Sequence, residues 1–265
     1  MELIAIFFFL GGCSGFLAGL LGIGGGVISV PALYYILSWK GHPIEEVMQI
    51  AIATSLASVV LTTAISTWTY YQKKMILYRA LGYLLPGLII GCIIGCISGA
   101  QLVSLLSGDT LRMIFGSMAV AIGIYFTIPA LPILKIADQP NPLLTFFGLI
   151  IGHLSSLLGV GGGIFSVPLL FAYRIPPKNI AATSSAATMT TSLVGTLTYL
   201  VMATQVPHLS TEFGYIDFSA FLWISIGSAF SVRFGVKLAQ YLSVQSVKRI
   251  FGIVLSATGI FMIFR

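Results

Sequence analysis

Charge is what this sequence has least of. Of its 265 residues, 13 are Lys or Arg and 7 are Asp or Glu, 8% in all, while 57% are hydrophobic. A soluble domain of this size carries roughly a quarter charged residues. Too few charges remain to cover a water-facing surface, so a soluble protein is excluded. The seven acids, Glu2, Glu45, Glu46, Asp109, Asp138, Glu212 and Asp217, all fall at segment ends or in loops. A cation pump buries a carboxylate within its spans, so anions suit this chain better. Cysteine is scarce as well. Cys13, Cys92 and Cys96 lie in apolar segments, and no His or acid joins them as a metal set. Cys92 and Cys96 share a helix face and read as packing residues. With no paired acids and no ligand cluster for hydrolysis, neither an enzyme nor a bound cofactor or metal is expected. The net charge of +6 is scattered through short loops. That is the habit of cytoplasmic loops, and it argues against a nucleic-acid partner. Met1-Glu2-Leu3 lacks the basic n-region of a cleaved signal peptide, so the first apolar run is expected to be a helix of the working protein.

Long apolar runs are what the chain has. Several reach the roughly 20 residues that cross a bilayer, unlike the short alternating strands of an outer-membrane barrel. The expected class is an all-α polytopic membrane protein. Its order is a repeat. "GFLAGLLGIGGGVISVP" at 15–31 returns as "GHLSSLLGVGGGIFSVP" at 152–168, and "ATSLASVVLTTAISTWTYY" from Ala53 is echoed by "ATSSAATMTTSLVGTLTYL" from Ala182. Gly91, Gly99, Phe115 and Gly116 match Gly227, Gly235, Phe251 and Gly252. A Pro-rich stretch from Leu131 to Pro142 separates the copies, giving repeats over 1–134 and 135–265. Each copy predicts a leading helix (3–21; 142–158), a glycine loop and a short helix (29–38; 166–174). Three long helices follow, over 46–71, 79–100 and 110–130, and then over 178–202, 216–240 and 246–264.

Loop charge sets orientation. Lys40 beside Glu45 and Glu46 reads outside, and Lys73, Lys74 and Arg79 read inside. In the second copy the order reverses: Arg174 and Lys178 read inside, Glu212 and Asp217 outside, and Arg233, Lys237, Lys248 and Arg249 inside again. The repeats are therefore expected to be inverted. With Lys135 and the loop at 174–178 both inside, the stretch between them enters and leaves on one side, as a helical hairpin with the glycines at its tip. The first copy does the same from outside.

Non-helical backbone at membrane depth survives only where it is buried in protein or lines a polar cavity. Ser29 and Ser166 read as N-caps, with Pro31 and Pro168 in the first turn, where a missing N–H does no harm. A helix from Ser29 to Ser38 is about 15 Å long, half of a roughly 30 Å hydrocarbon core, so its N-terminus belongs near the midplane. Such an end offers unpaired N–H donors and about half a positive charge. Two of them from opposite faces make a central anion site, the plan of inverted-repeat transporters. The candidate substrate-binding residues are Gly24, Gly25, Gly26 and Ser29 with Gly161, Gly162, Gly163 and Ser166. The competing reading is close helix packing. That is the better account of Gly87, Gly91, Gly95 and Gly99, which recur every fourth residue; consecutive glycines instead break a helix. A nucleotide loop is excluded, because no P-loop lysine and no βαβ unit follow.

Hydroxyls form the second polar feature. Thr54, Ser58, Thr62 and Ser66 share one helix face, as do Ser184, Thr188, Ser192 and Thr196. They serve either an oxyanion or the helix carbonyls. Thr54, Ser55, Thr183 and Ser184 occur in both copies and complete the candidate set. His153, opposite Phe16 in the first copy, is the candidate for proton coupling, against a structural role. Arg233 near a helix end reads as a snorkelling side chain.

At its duplicated glycine segments, each followed by "ATS", the chain resembles the sulfite exporter TauE/SafE family, over essentially its whole length. The resemblance implies a two-repeat transporter of the cytoplasmic (inner) membrane, moving sulfite, sulfonates or related sulfur-containing anions. It leaves the particular anion, the direction, the coupling ion and the oligomeric state open. The second copy departs from the first at His153 and Ser155, which would make the site asymmetric. Two functions stand side by side: a secondary carrier working by alternating access, and a non-transporting membrane subunit packed against a partner.

Overall fold

A computed structural model describes residues 2–105, 108–127, 140–204, 211, 213–239, 241–242 and 244–264. The stretch at 131–139 that carries the repeat boundary lies outside them, as does Glu212. The described residues form ten helices: α1 (Glu2–Leu21), α2 (Gly26–Trp39), α3 (Ile44–Gln72), α4 (Tyr78–Leu105), α5 (Gly108–Thr127), α6 (Leu143–Leu158), α7 (Gly163–Ala172), α8 (Pro177–Ala203), α9 (Phe218–Ala239) and α10 (Val244–Phe264). Each long helix begins and ends close to where the apolar runs placed it. Five of them, within α1, α3, α4, α8 and α9, are long and apolar enough to cross a membrane. The protein is an all-α, multi-pass membrane protein.

Two corrections concern the short helices. α2 starts at Gly26 and α7 at Gly163, three residues ahead of the expected serines, and the N-caps are Gly25 and Gly162. Ser29 and Ser166 sit in the fourth helical position. Their hydroxyls donate back to the N-cap carbonyls, Ser29 Oγ to Gly25 O at 3.3 Å and Ser166 Oγ to Gly162 O at 3.0 Å. Pro31 and Pro168 consequently stand in the second turn rather than the first. The cause is local. Gly25 (φ 79°) and Gly162 (φ 94°) take a left-handed conformation that serine adopts at a cost. The chain therefore turns on its glycines and starts the helix at once.

Packing is organised by glycine. α4 lies along α6, and a methyl placed on Gly91 would be 2.0 Å from the Leu149 carbonyl oxygen. On α1 and α9, Gly19 meets Val232 and Gly235 meets Phe16 in the same way. Small residues let these backbones touch where a side chain would hold them apart. α5 pairs with α10, and α3 with α8 at the centre. Cys92 and Cys96 are buried in the α4 contact with α8, Cys92 Sγ donating to Thr191 O at 3.2 Å.

The ends of α3 and α8 fix their directions. After α3, Asn179 Nδ2 donates to Met75 O at 2.8 Å and Leu77 N–H to Thr183 Oγ1 at 3.1 Å. At the other end, Asp217 N–H donates to Thr54 Oγ1 at 3.0 Å, and Lys40 Nζ pairs with Asp217 Oδ2 at 2.5 Å. α3 and α8 thus run side by side in opposite senses. Lys73, Lys74, Arg79, Arg174 and Lys178 gather at one end of the molecule, and Lys40 and Asp217 mark the other.

Candidate functional site

The two glycine turns meet at the middle of the protein. Gly22–Gly26 and Gly159–Gly163 are all buried. A methyl on Gly24 would strike Val59, Thr188 and Thr63; one on Gly161 would strike Ser192, Thr188 and Val59. Val59 and Thr188 stand near the midpoints of α3 and α8, so both turns sit half-way along these two long helices. They also touch each other. Gly163 abuts Ile23, and Gly26 abuts Gly159 and Val160.

The contacts are reciprocal. Ser55 Oγ donates to Gly159 O at 3.2 Å, and its match Ser184 donates to Gly22 O at 3.0 Å. Gly22 rests on Ala181, and Gly159 on Ile52. Each turn is therefore held by the long helix of the other copy, with loop carbonyls consumed by hydroxyls and the helix N-termini left facing inward. The amides of Ile28 and Ser29 bond to Gly25 O, and those of Phe165 and Ser166 to Gly162 O. The amides just ahead, on Gly26, Val27, Gly163 and Ile164, take no backbone acceptor among the described residues. Neither N-cap supplies a side-chain bond. Two helix starts with unspent donors, each equivalent to about half a positive charge, make a centre that favours negative charge.

Of the candidate residues, Gly24, Gly25, Gly26, Gly161, Gly162 and Gly163 come together here with Ser55 and Ser184. Ser29 and Ser166 lie one turn back, the latter with its Oγ 2.9 Å from Ser184 Oγ. Thr54 and Thr183 lie elsewhere: each accepts the backbone N–H at the start of a long helix in the other copy. His153 is half-buried on α6, two residues or about 200° round the helix from Ser155, with its backbone against Gly95 of α4. Along the hydroxyl stripes, Ser58, Thr62 and Thr196 donate to helix carbonyls.

Four serines differ. Ser66, Ser155, Ser192 and Ser225 are buried, and their Oγ atoms have no partner among the described residues. Ser155 and Ser192 border the second turn, beside Gly162 and Gly161 respectively, with Thr191 between them. Recurrence between the copies could not single these out, because their first-copy matches are Ala18 and Thr63; the signals were the departure at Ser155 and the place of Ser192 in the second hydroxyl stripe. No group of three or more potential metal ligands occurs among the described residues.

At the Lys40 end lies a cavity of about 440 Å³, lined by Lys40, His42, Asp217, Ser219 and Trp223 among others. Asp217 caps α9, its Oδ1 accepting Ala220 N–H at 2.9 Å. Nearby, burial and then the Glu46 carboxylate push the Tyr215 phenol above its ordinary range, so it stays neutral at physiological pH.

Residues 7–262 match the family model described as Sulfite exporter TauE/SafE. A "Probable membrane transporter protein" of Methanocaldococcus jannaschii is 30% identical over 268 residues, covering 99% of this chain and 96% of the relative. A protein of the same description from Haemophilus influenzae is 29% identical, over 96% of this chain and 95% of its own. "Probable membrane transporter protein YunE" of Bacillus subtilis is 25% identical over the same shares. No solved structure matches significantly.

Proposed function

The chain belongs to the sulfite exporter TauE/SafE family of membrane transporters, and from that premise we propose that it carries a small sulfur-containing anion, sulfite or a sulfonate, across the cytoplasmic membrane. The observation that carries this reading is the meeting of two helix N-termini at mid-depth, with unspent N–H donors and buried hydroxyls. The acids among the described residues stay away from it. The opposed α3 and α8 and the reciprocal turn contacts support two inverted repeats that rock about this centre, opening it to each side in turn. The test uses the purified full chain, alone, in proteoliposomes. Labelled sulfite or methanesulfonate should enter faster than into empty vesicles, and labelled choline should not. Flux from the chain alone also removes the reading as a non-transporting subunit; no flux of either anion removes the carrier.

Inversion has its own check. With native cysteines replaced, a cysteine at Glu45 should react with an impermeant thiol reagent added outside. Cysteines at Lys73 and Lys178 should be protected. Labelling of positions 45 and 178 from the same side rejects inversion.

His153 tests the coupling. A proton relay through it would make His153→Gln flatten the pH dependence of flux. Its place in the α4–α6 seam, against Gly95 rather than among the atoms that surround the two turns, leads us to expect an unchanged profile, with coupling carried elsewhere. A flattened profile would return the relay to His153.

A further inference from the structure

The geometry points to a one-sided site: the anion is held at the α7 turn by Ser155 and Ser192 with the Gly163 and Ile164 amides, while the α2 turn forms only its wall. This rests on the reading of the two turns as an anion site. It is carried by a difference between the copies where their backbones correspond.

At the α7 turn, hydroxyls surround the helix start. A methyl on Gly162 would find Thr191 Oγ1 at 3.1 Å and Ser155 Oγ at 3.6 Å, and one on Gly161 would lie 2.3 Å from Ser192 Oγ. Ser155 and Ser192 are fully buried with no partner for either Oγ among the described residues. A buried hydroxyl without a partner is costly, and each such group calls for a reason. A ligand that completes its hydrogen bonds supplies one.

At the α2 turn the same positions are spent. Ser155 corresponds to Ala18, which has no hydroxyl. Ser192 corresponds to Thr63, whose Oγ1 donates to Val59 O at 2.6 Å. The pair Thr191 and Thr62 is spent in both copies: Thr191 Oγ1 donates to Gly161 O and to Ala187 O at 3.1 Å, and Thr62 Oγ1 to Ser58 O at 2.9 Å, so the difference rests on Ser155 and Ser192. A methyl on Gly25 would sit 2.6 Å from the Ser14 carbonyl oxygen, an acceptor that repels an anion. Methyl groups of Val59, Thr63 and Thr188 cover Gly24.

The chemistry follows. Amide donors and hydroxyls with no cation among them compensate about half a charge, so the site takes a monovalent oxyanion with a small head. Each hydroxyl can also accept, which accommodates a protonated oxygen. A dianion needs a co-ion.

Thermal unfolding of the purified full chain in detergent tests this with methanesulfonate as the monovalent probe and sulfate as the divalent one. Methanesulfonate should raise the wild-type Tm, and sulfate should not. Ser155→Ala and Ser192→Ala should each weaken the methanesulfonate response by about 10-fold in concentration, the size of a hydrogen bond to a charged group. Their ligand-free Tm should stay equal or rise, whereas loss of a merely structural serine lowers it. Thr63→Val should respond within about twofold of wild type, since its hydroxyl bonds only the carbonyls of its own helix, at Val59 and Val60. Equal responses in all three variants, or a Thr63→Val loss as large as that of Ser155→Ala, overturn the one-sided site, as does a wild type that methanesulfonate leaves unshifted. A wild type that binds methanesulfonate without flux keeps the site and removes the carrier. A wild type with flux, and KM unchanged in both serine variants, keeps the carrier and removes the one-sided site.

Discussion

Gly163→Ala should cut anion flux by about 10- to 100-fold while the protein still inserts and purifies as a single species. Gly163 is the first residue of α7 and has no positive φ. Alanine is the better helix former, so the local backbone raises no objection. The obstacle is the other turn: the new methyl would lie 2.2 Å from Ile23 Cα and 2.8 Å from its carbonyl. Backbone cannot rotate away as a side chain can, and overpacking of this kind costs about 1–3 kcal/mol, or up to roughly 100-fold in an equilibrium. The two helix starts must separate, and the donors they aim at one centre separate with them. Gly12→Ala is the control, because a methyl there meets nothing within 4 Å. Leucine at Gly162 should abolish flux, since positive φ adds strain to bulk. Leucine at Gly25 should also lower expression, because it runs into the Ser14 carbonyl. Wild-type initial rates in Gly163→Ala would reduce the turns to packing elements.

The helices and the glycine turns were legible because they are written by repetition and by apolar length, both of which are local. The α4 seam was legible for the same reason: glycine every fourth residue has one use in a helix, and α6 fills it. Ser29 and Ser166 misled. The preference for serine at an N-cap reflects helix ends where a side chain must supply the missing acceptor. Here glycine turns the chain, and the serine hydroxyl falls back on the carbonyl behind it. The unpartnered Ser155 and Ser192 were not legible in kind. A serine in a membrane helix bonds a nearby carbonyl by default, and only the neighbours in space reveal which ones do not. Lys40 and Asp217 stand 177 positions apart. Their charges assigned both to one side of the membrane, and nothing in the sequence made them partners.

Breaking that pair should both destabilise the protein and open its Lys40 end. Lys40 caps the C-terminal end of α2, and Asp217 caps the N-terminal end of α9. The pair therefore ties the helix that follows the first glycine turn to the helix that Thr54 holds. Its two members differ in exposure, 27% for the lysine side chain and 7% for the aspartate. Asp217→Asn leaves a lysine that can turn to water, and an amide oxygen still caps α9. That change should cost about 1 kcal/mol, near the upper value for a partly exposed ion pair. Lys40→Met leaves a buried carboxylate with hydrogen bonds and no counter-charge. It should cost about 2–4 kcal/mol, towards the range for a broken buried pair. Because the penalty is the orphaned charge, Lys40→Met with Asp217→Asn should recover part of the loss, and a double-mutant cycle on thermal unfolding reads the coupling directly. The same contact bears on access. In a carrier whose centre opens to each side in turn, this pair closes one side, and a loss of 1.4 kcal/mol shifts the populations tenfold. With native cysteines replaced, Ser58→Cys, buried one turn below Thr54, should label with an impermeant thiol reagent about tenfold faster when Lys40→Met is added. Slower or unchanged labelling, alongside the expected loss of stability, would make the pair a structural staple and place the gate at this end elsewhere.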